Sequence, residues 1–150
     1  MRPACPEVAC GFVHWDNPAP VVAALVELDG RLLLARGRGW PAGKFGLVTG
    51  FLEREEIPEE AVVREVKEET DLDARSVSLI GVYPFQRKNE VIIAYHVVAD
   101  GTIRINEELE EYRLVAADKL IAWEFGTGLA VRDWLARRAM ALPGNDGETP

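Results

Sequence analysis

Cysteine is scarce: Cys5 and Cys10 are the only two in the 150-residue chain. A closed zinc site needs four ligands, commonly two close cysteine pairs. Here there is one pair, widely spaced, with His14 nearby, so we expect two free thiols and no bound zinc. Basic residues are also few, 17 against 25 acids, for a net charge of −8. A general nucleic-acid binder needs a basic face to neutralise phosphates, so that class is not expected. A small anionic ligand stays open, because a bound cation reverses the local field. No apolar run is long enough to cross a bilayer, and the N-terminus lacks the charged start and apolar stretch of a signal peptide. No membrane partner is expected, and the cytoplasm is the expected compartment.

What the chain does contain is a full core's worth of apolar residues, 48%, at a length suited to one domain. Residues 1–20, with Pro3, Pro6, Pro18 and Pro20, read as an irregular arm. Residues 21–142 carry the domain, and residues 143–150, rich in Gly, Pro and acids, read as a disordered tail. Val21–Leu28 is an apolar run suited to a buried strand, Asp29-Gly30 a hairpin turn, and Arg31–Ala35 its returning partner. Glycines and Pro41 mark a long loop before a short strand at Leu47–Thr49. Pro58–Thr70 reads as a helix. Strands are expected at Val77–Tyr83 and Val91–Ala99, with Asp100-Gly101 turning into another at Thr102–Ile105, then Glu111–Val115. A helical turn at Ala117–Leu120 and a helix at Leu129–Met140 complete an α/β pattern, a mixed sheet between helices.

The helix at Pro58–Thr70 carries the chemistry. Pro58 suits the first helical position, and Glu59 and Glu60 suit the positive end of the helix dipole. The other end is unfavourable. Glu65, Glu68 and Glu69 are spaced i, i+3 and i, i+4, share one face, and border the apolar stripe of Val62 and Val66. Each like-charge pair costs about 0.2–0.5 kcal/mol, and the C-terminal dipole adds about 0.3–1 kcal/mol per charge. A solvated acidic face is the plain reading of such a run. A divalent cation would turn these penalties into one favourable site, and hard carboxylate oxygens suit Mg²⁺ or Mn²⁺.

Around that helix the residues follow a pattern. Gly50 is followed after five residues by Glu56, and after seven more by Arg64-Glu65-Val66, then Glu68-Glu69 and Leu72. This resembles the box of the Nudix hydrolase family. The one defined position that departs is the second glycine, where Asp71 stands; a helix end often needs a left-handed residue, which Gly supplies more freely than Asp. The resemblance implies a Nudix-type α/β/α sandwich and a Mg²⁺-dependent hydrolase of a pyrophosphate bond. It implies Glu65 and Glu69 as principal metal ligands with Glu68 beside them, the Gly50 carbonyl in the metal shell, and an Arg64–Glu56 pair holding the loop to the helix. Glu111, within Glu-Tyr-Arg-Leu-Val, resembles the acid that opens a late strand in these enzymes and completes the metal site; Glu107, Glu108 and Glu110 read as a plain acidic loop. A homodimer is also implied.

Cys5–Pro18 resembles a remnant of the zinc ribbon preceding the NADH pyrophosphatase branch, and Tyr83-Pro84-Phe85 resembles part of that branch's post-box segment. Trp40, Phe45, Tyr83 and Phe85 are candidates to stack on a base, and Arg36, Arg38, Lys44 and Arg87 to hold phosphates. The expected substrate is a nucleoside diphosphate linked to another moiety, such as ADP-ribose or NADH, or another nucleotide such as a dinucleoside polyphosphate or a nucleoside triphosphate. The competing reading is a non-catalytic nucleotide sensor on the same fold.

Overall fold

A computed structural model describes residues 1–142; the expected tail, residues 143–150, lies outside the described residues. The order is β1 (Ala19–Leu28), β2 (Arg31–Gly37), β3 (Val48–Phe51), α1 (Pro58–Thr70), β4 (Asp73–Phe85), β5 (Glu90–Asp100), β6 (Leu109–Ala116) and α2 (Gly128–Ala141). Single 3₁₀ turns occupy Gln86–Lys88 and Ala117–Lys119.

The strands form one mixed sheet in the order β4-β5-β1-β2-β6, with β3 also paired to β1. β1 and β5 run parallel and every other pair is antiparallel. β1 is apolar except at Glu27, near its end, because both of its faces are covered. Val22, Ala24, Val26 and Leu28 join the core under α1 with Val62 and Val66, while Ala23 and Leu25 join the opposite core with Ala130 and Val131 of α2. That is the expected α/β/α sandwich. The hairpin between β1 and β2 turns on Asp29 (φ 50°) and Gly30 (φ 77°), the two left-handed positions that match the twist of the flanking strands.

The sheet splits beside β1. One edge of β1 is taken by β5; on the other, Val21–Ala24 pair with β3 and Val26–Leu28 with β2. β2 then diverges towards β6, and an isolated bridge between Ala35 and Gly46 is what joins the two sides of the wedge. The Gly-rich loop between β2 and β3 spans this opening.

The strand expected at Thr102–Ile105 does not form. That segment crosses the end of α1 instead: the Arg104 amide donates to the Thr70 carbonyl at 2.9 Å and the Asn106 amide to the Glu69 carbonyl at 3.2 Å. Helix-terminal carbonyls lack intrahelical partners, and Ile103 and Ile105 pack on the core beneath, so satisfying the helix end wins over hairpin pairing. The arm also has local order, with Ala4 bridged to Val13. No helix among the described residues is long and apolar enough to cross a membrane.

Candidate active site

Helix α1 starts without a side-chain cap at Ile57, relying on Pro58 at its first position, and ends on Asp71 in the left-handed conformation (φ 61°, ψ 14°). Asp71 therefore performs the turn a glycine would perform, and its carboxylate sits 3.1 Å from Lys67 Nζ. This geometry turns Glu65 and Glu69 to the sheet side of the helix, where they are 7% and 5% exposed. The Glu65 carboxyl lies so close to β3 that a Cβ on Gly50 would fall 1.9 Å from Glu65 Cδ. Glycine at position 50 is thus the space that Glu65 occupies.

Arg64 organises the near side. Its Nε donates to Glu56 Oε2 at 2.6 Å and Nη2 to Glu56 Oε1 at 3.0 Å, a two-pronged contact. Nη1 reaches Glu65 at 2.8 Å and Glu68 at 3.2 Å, and Nη2 also donates to the Phe51 carbonyl. The guanidinium holds the Glu56 carboxyl below its ordinary range. Burial pushes the Glu65 carboxyl up, against the pull of Arg64. Glu69 makes no ion pair among the described residues, and it is pushed to about 8 by burial first, then by the Glu65 charge, a hydrogen bond with the Glu108 carboxyl, and the Glu108 and Glu68 charges.

Glu108 is the acid that reading the chain did not separate from its neighbours. Glu111 lies on β6, opposite Arg36, with Arg36 Nε donating to it at 3.1 Å. The register between β2 and β6 slips between Arg36 and Gly37, from Arg36 opposite Glu111 to Gly37 opposite Leu109. Beyond that bulge the Arg38 amide donates to the Glu108 carbonyl, and the Glu108 carboxyl meets Glu69. No local pattern in a run of acids reveals which one a bulge will set beside a distant carboxylate.

Glu65, Glu68, Glu69 and Glu108 carry the hard oxygens that a divalent cation takes, and the uncompensated burial of Glu69 is what such a cation would relieve. Among the described residues no three acids converge as a ready-made cage, and Arg64 bonds both Glu65 and Glu68. At the arm, Cys5 is partly buried and Cys10 exposed, both as free thiols.

From Glu69 a cleft runs along the split in the sheet. The part next to Glu69 and Glu108 has a volume of 220 Å³. It shares Trp40, Leu47 and Thr49 with a larger cavity of 480 Å³ whose wall includes Phe45, Phe85, Trp123 and Phe125. Phe45 and Phe85 therefore lie where a flat ring could stack, although the Arg113 guanidinium already sits 4.1 Å over Phe45. Tyr83 is placed elsewhere, its hydroxyl donating to Asp133 of α2 at 2.6 Å. Arg36 is engaged by Glu111 and the Trp40 carbonyl, and Arg38 by the Glu107 carbonyl. Lys44 and Arg87 do line the cavity.

Comparison with known proteins agrees with this geometry. The family profile described as NUDIX domain matches residues 16–137. The ADP-ribose pyrophosphatase of Methanocaldococcus jannaschii is 32% identical over 125 residues, covering 79% of this chain and 74% of that protein. The NAD-capped RNA hydrolase NudC of Mycobacterium bovis is 31% identical over 139 residues, covering 90% of this chain and 44% of that protein, so this chain spans less than half of its length. In three dimensions the chain is similar to a Nudix hydrolase from Nitrosomonas europaea, with a TM-score of 0.77 at 23% identity over 95% of this chain and 82% of the other. The chain belongs to the Nudix hydrolase family.

Proposed function

We propose that this chain is a Mg²⁺-dependent pyrophosphatase that cleaves a nucleoside diphosphate linked to another moiety, of the ADP-ribose or NADH type. The observation that carries this reading is one continuous cleft with a carboxylate end, at Glu69 and Glu108, and an aromatic end, at Trp40, Phe85 and Phe125. A pyrophosphate placed at the first end leaves its nucleoside against the second. The two relatives named above act, by their names, on ADP-ribose and on NAD-capped RNA, which supports a substrate whose pyrophosphate joins a nucleoside to a second ribose-bearing half.

Glu65, Glu69, Glu68 and Glu108 would hold the cation, with the Gly50 carbonyl beside Glu65. Mn²⁺ suits the same oxygens. When bound, the ion screens the pyrophosphate, polarises its P–O bond and acidifies a water. Arg64 and Glu56 keep the loop after β3 against α1, so the carboxylates stay aimed at the cleft. Glu111 takes a supporting part here by fixing Arg36 against the Trp40 carbonyl at the cleft wall.

The test is a panel of ADP-ribose, NADH, a dinucleoside polyphosphate and a nucleoside triphosphate, each with MgCl₂, scored by chromatography of mononucleotide products. Mononucleotide release from ADP-ribose or NADH, abolished by chelator, is expected. Nucleotide binding without turnover of any member would instead establish the sensor reading.

A further inference from the structure

The far end of the cleft is basic, and a single pyrophosphate at Glu69 does not require that. Lys44, Arg87 and Lys88 all line the larger cavity, and all three gather on one pair of rings. Lys44 Nζ lies 5.8 Å and Arg87 Cζ 5.5 Å from the Phe125 centroid, while Lys88 Nζ lies 5.5 Å from the Phe85 centroid. The two rings stack 6.2 Å apart at 28°. Among the described residues none of the three cations makes an ion pair, whereas Arg36, Arg64, Arg75 and Arg132 each do. Glu90 is the one carboxylate on this cavity's wall among the described residues. In a chain of net charge −8, three cations outside any ion pair and gathered on one aromatic pair make a local positive patch suited to an anion.

Resting on the nucleotide reading above, we propose that this end binds a phosphate monoester carried on the ribose of the stacked nucleoside. The preferred substrate is then a nucleoside diphosphate derivative whose base-bearing ribose is itself phosphorylated. The division of labour follows from charge. The acidic end repels phosphate unless a cation is bound there, so the pyrophosphate goes where the metal is. The basic end attracts phosphate without any metal. Its position next to Phe85 and Phe125 puts the extra charge on the nucleoside side of the molecule, not on the leaving half.

That difference allows the subsite to be measured with metal removed. In EDTA and low salt, the binding of 5′-AMP, adenosine 2′,5′-bisphosphate and adenosine 3′,5′-bisphosphate is followed by calorimetry, with quenching of Trp40 and Trp123 as a second readout. At least one bisphosphate should bind about tenfold more tightly than 5′-AMP, and the preference should shrink with added salt. Which isomer wins identifies the ribose position. In the double variant Arg87→Gln, Lys88→Gln, whose side chains keep part of their length, the preference should fall below about twofold. With Mg²⁺, kcat/KM for 2′-phospho-ADP-ribose and for 3′-phospho-ADP-ribose is each compared with that for ADP-ribose, and the isomer matching the tighter bisphosphate should exceed ADP-ribose; a parent ratio of one for both isomers would overturn the proposal. So would a bisphosphate preference that survives in the double variant, or equal weakening of 5′-AMP and the bisphosphates, which would assign these cations to the shared 5′-phosphate. Those results leave ADP-ribose hydrolysis standing. Failure to bind or cleave any nucleotide would overturn both this proposal and the reading it rests on.

Discussion

Replacing Glu69 by Gln should make the metal-free protein more stable and the metal-loaded protein inactive. In the folded chain the Glu69 carboxyl is raised from 4.5 to about 8. A group raised in this way contributes stability that is fully present below its unfolded value and is lost as pH rises through the folded value. The parent, stripped of metal, should therefore lose stability between pH 4.5 and pH 8. The shift corresponds to roughly 5 kcal/mol between the two protonation states. A Gln keeps the shape and an acceptor oxygen, adds an amide that can donate to Glu65 or Glu108, and carries no charge to bury. The expected gain is about 2–5 kcal/mol at pH 8.5 and under about 1 kcal/mol at pH 5. Urea unfolding of parent and Glu69→Gln in EDTA at both pH values measures this directly. Saturating Mg²⁺ should narrow or reverse the difference, because a ligand bound to the folded parent stabilises it by mass action. Turnover should fall by about 100-fold or more. A mutant less stable than the parent at pH 8.5, or a difference that does not change with pH, would show that Glu69 is a structural partner and not a strained ligand.

Gly50→Ala places a Cβ 1.9 Å from Glu65 Cδ. The obstruction is the end of a flexible side chain, so stability should change by less than about 1 kcal/mol while activity drops by about tenfold or more as Glu65 is displaced; parental kcat/KM would refute this. Arg64→Ala should cost about 1–3 kcal/mol by stripping a cluster of carboxylates of its one cation, and Arg64→Lys should restore little, because an ammonium cannot reproduce the two-pronged contact with Glu56. Denaturant midpoints of both variants give the comparison, and full rescue by Lys would mean that charge alone matters. Asp71→Gly should stabilise by about 0.5–1 kcal/mol, relief of the left-handed strain exceeding loss of an exposed pair with Lys67. A lower melting temperature for that variant would show the ion pair to be the stronger effect.

The helix at Pro58–Thr70 was legible in the sequence by itself to its end residues, because proline at the start, the acid pattern and the apolar stripe are all local signals. The hairpin at Asp29-Gly30 was legible for the same reason, since both residues tolerate the left-handed backbone that the turn demands. The spacing of Gly50, Glu56, Arg64, Glu65, Glu68 and Glu69 was enough to identify the family, now shown by the match over residues 16–137. Tertiary structure decided what local rules cannot reach. Thr102–Ile105 has a turn signal before it and alternating apolar residues, yet the unpaired carbonyls of Glu69 and Thr70 draw it across the helix end. Glu108 rather than Glu111 lies beside Glu69 because the β2–β6 register slips between Arg36 and Gly37 and Glu111 is held by Arg36 instead. Tyr83 and Phe85, two residues apart on one strand, part company because Asp133 of α2 holds the tyrosine hydroxyl while Phe85 meets Phe125 across the cleft. The far wall of the cleft comes from Trp123 and Phe125, more than thirty residues beyond Phe85 in the chain. Packing of distant segments, which carries no signature in any one of them, brought that wall and its cations together.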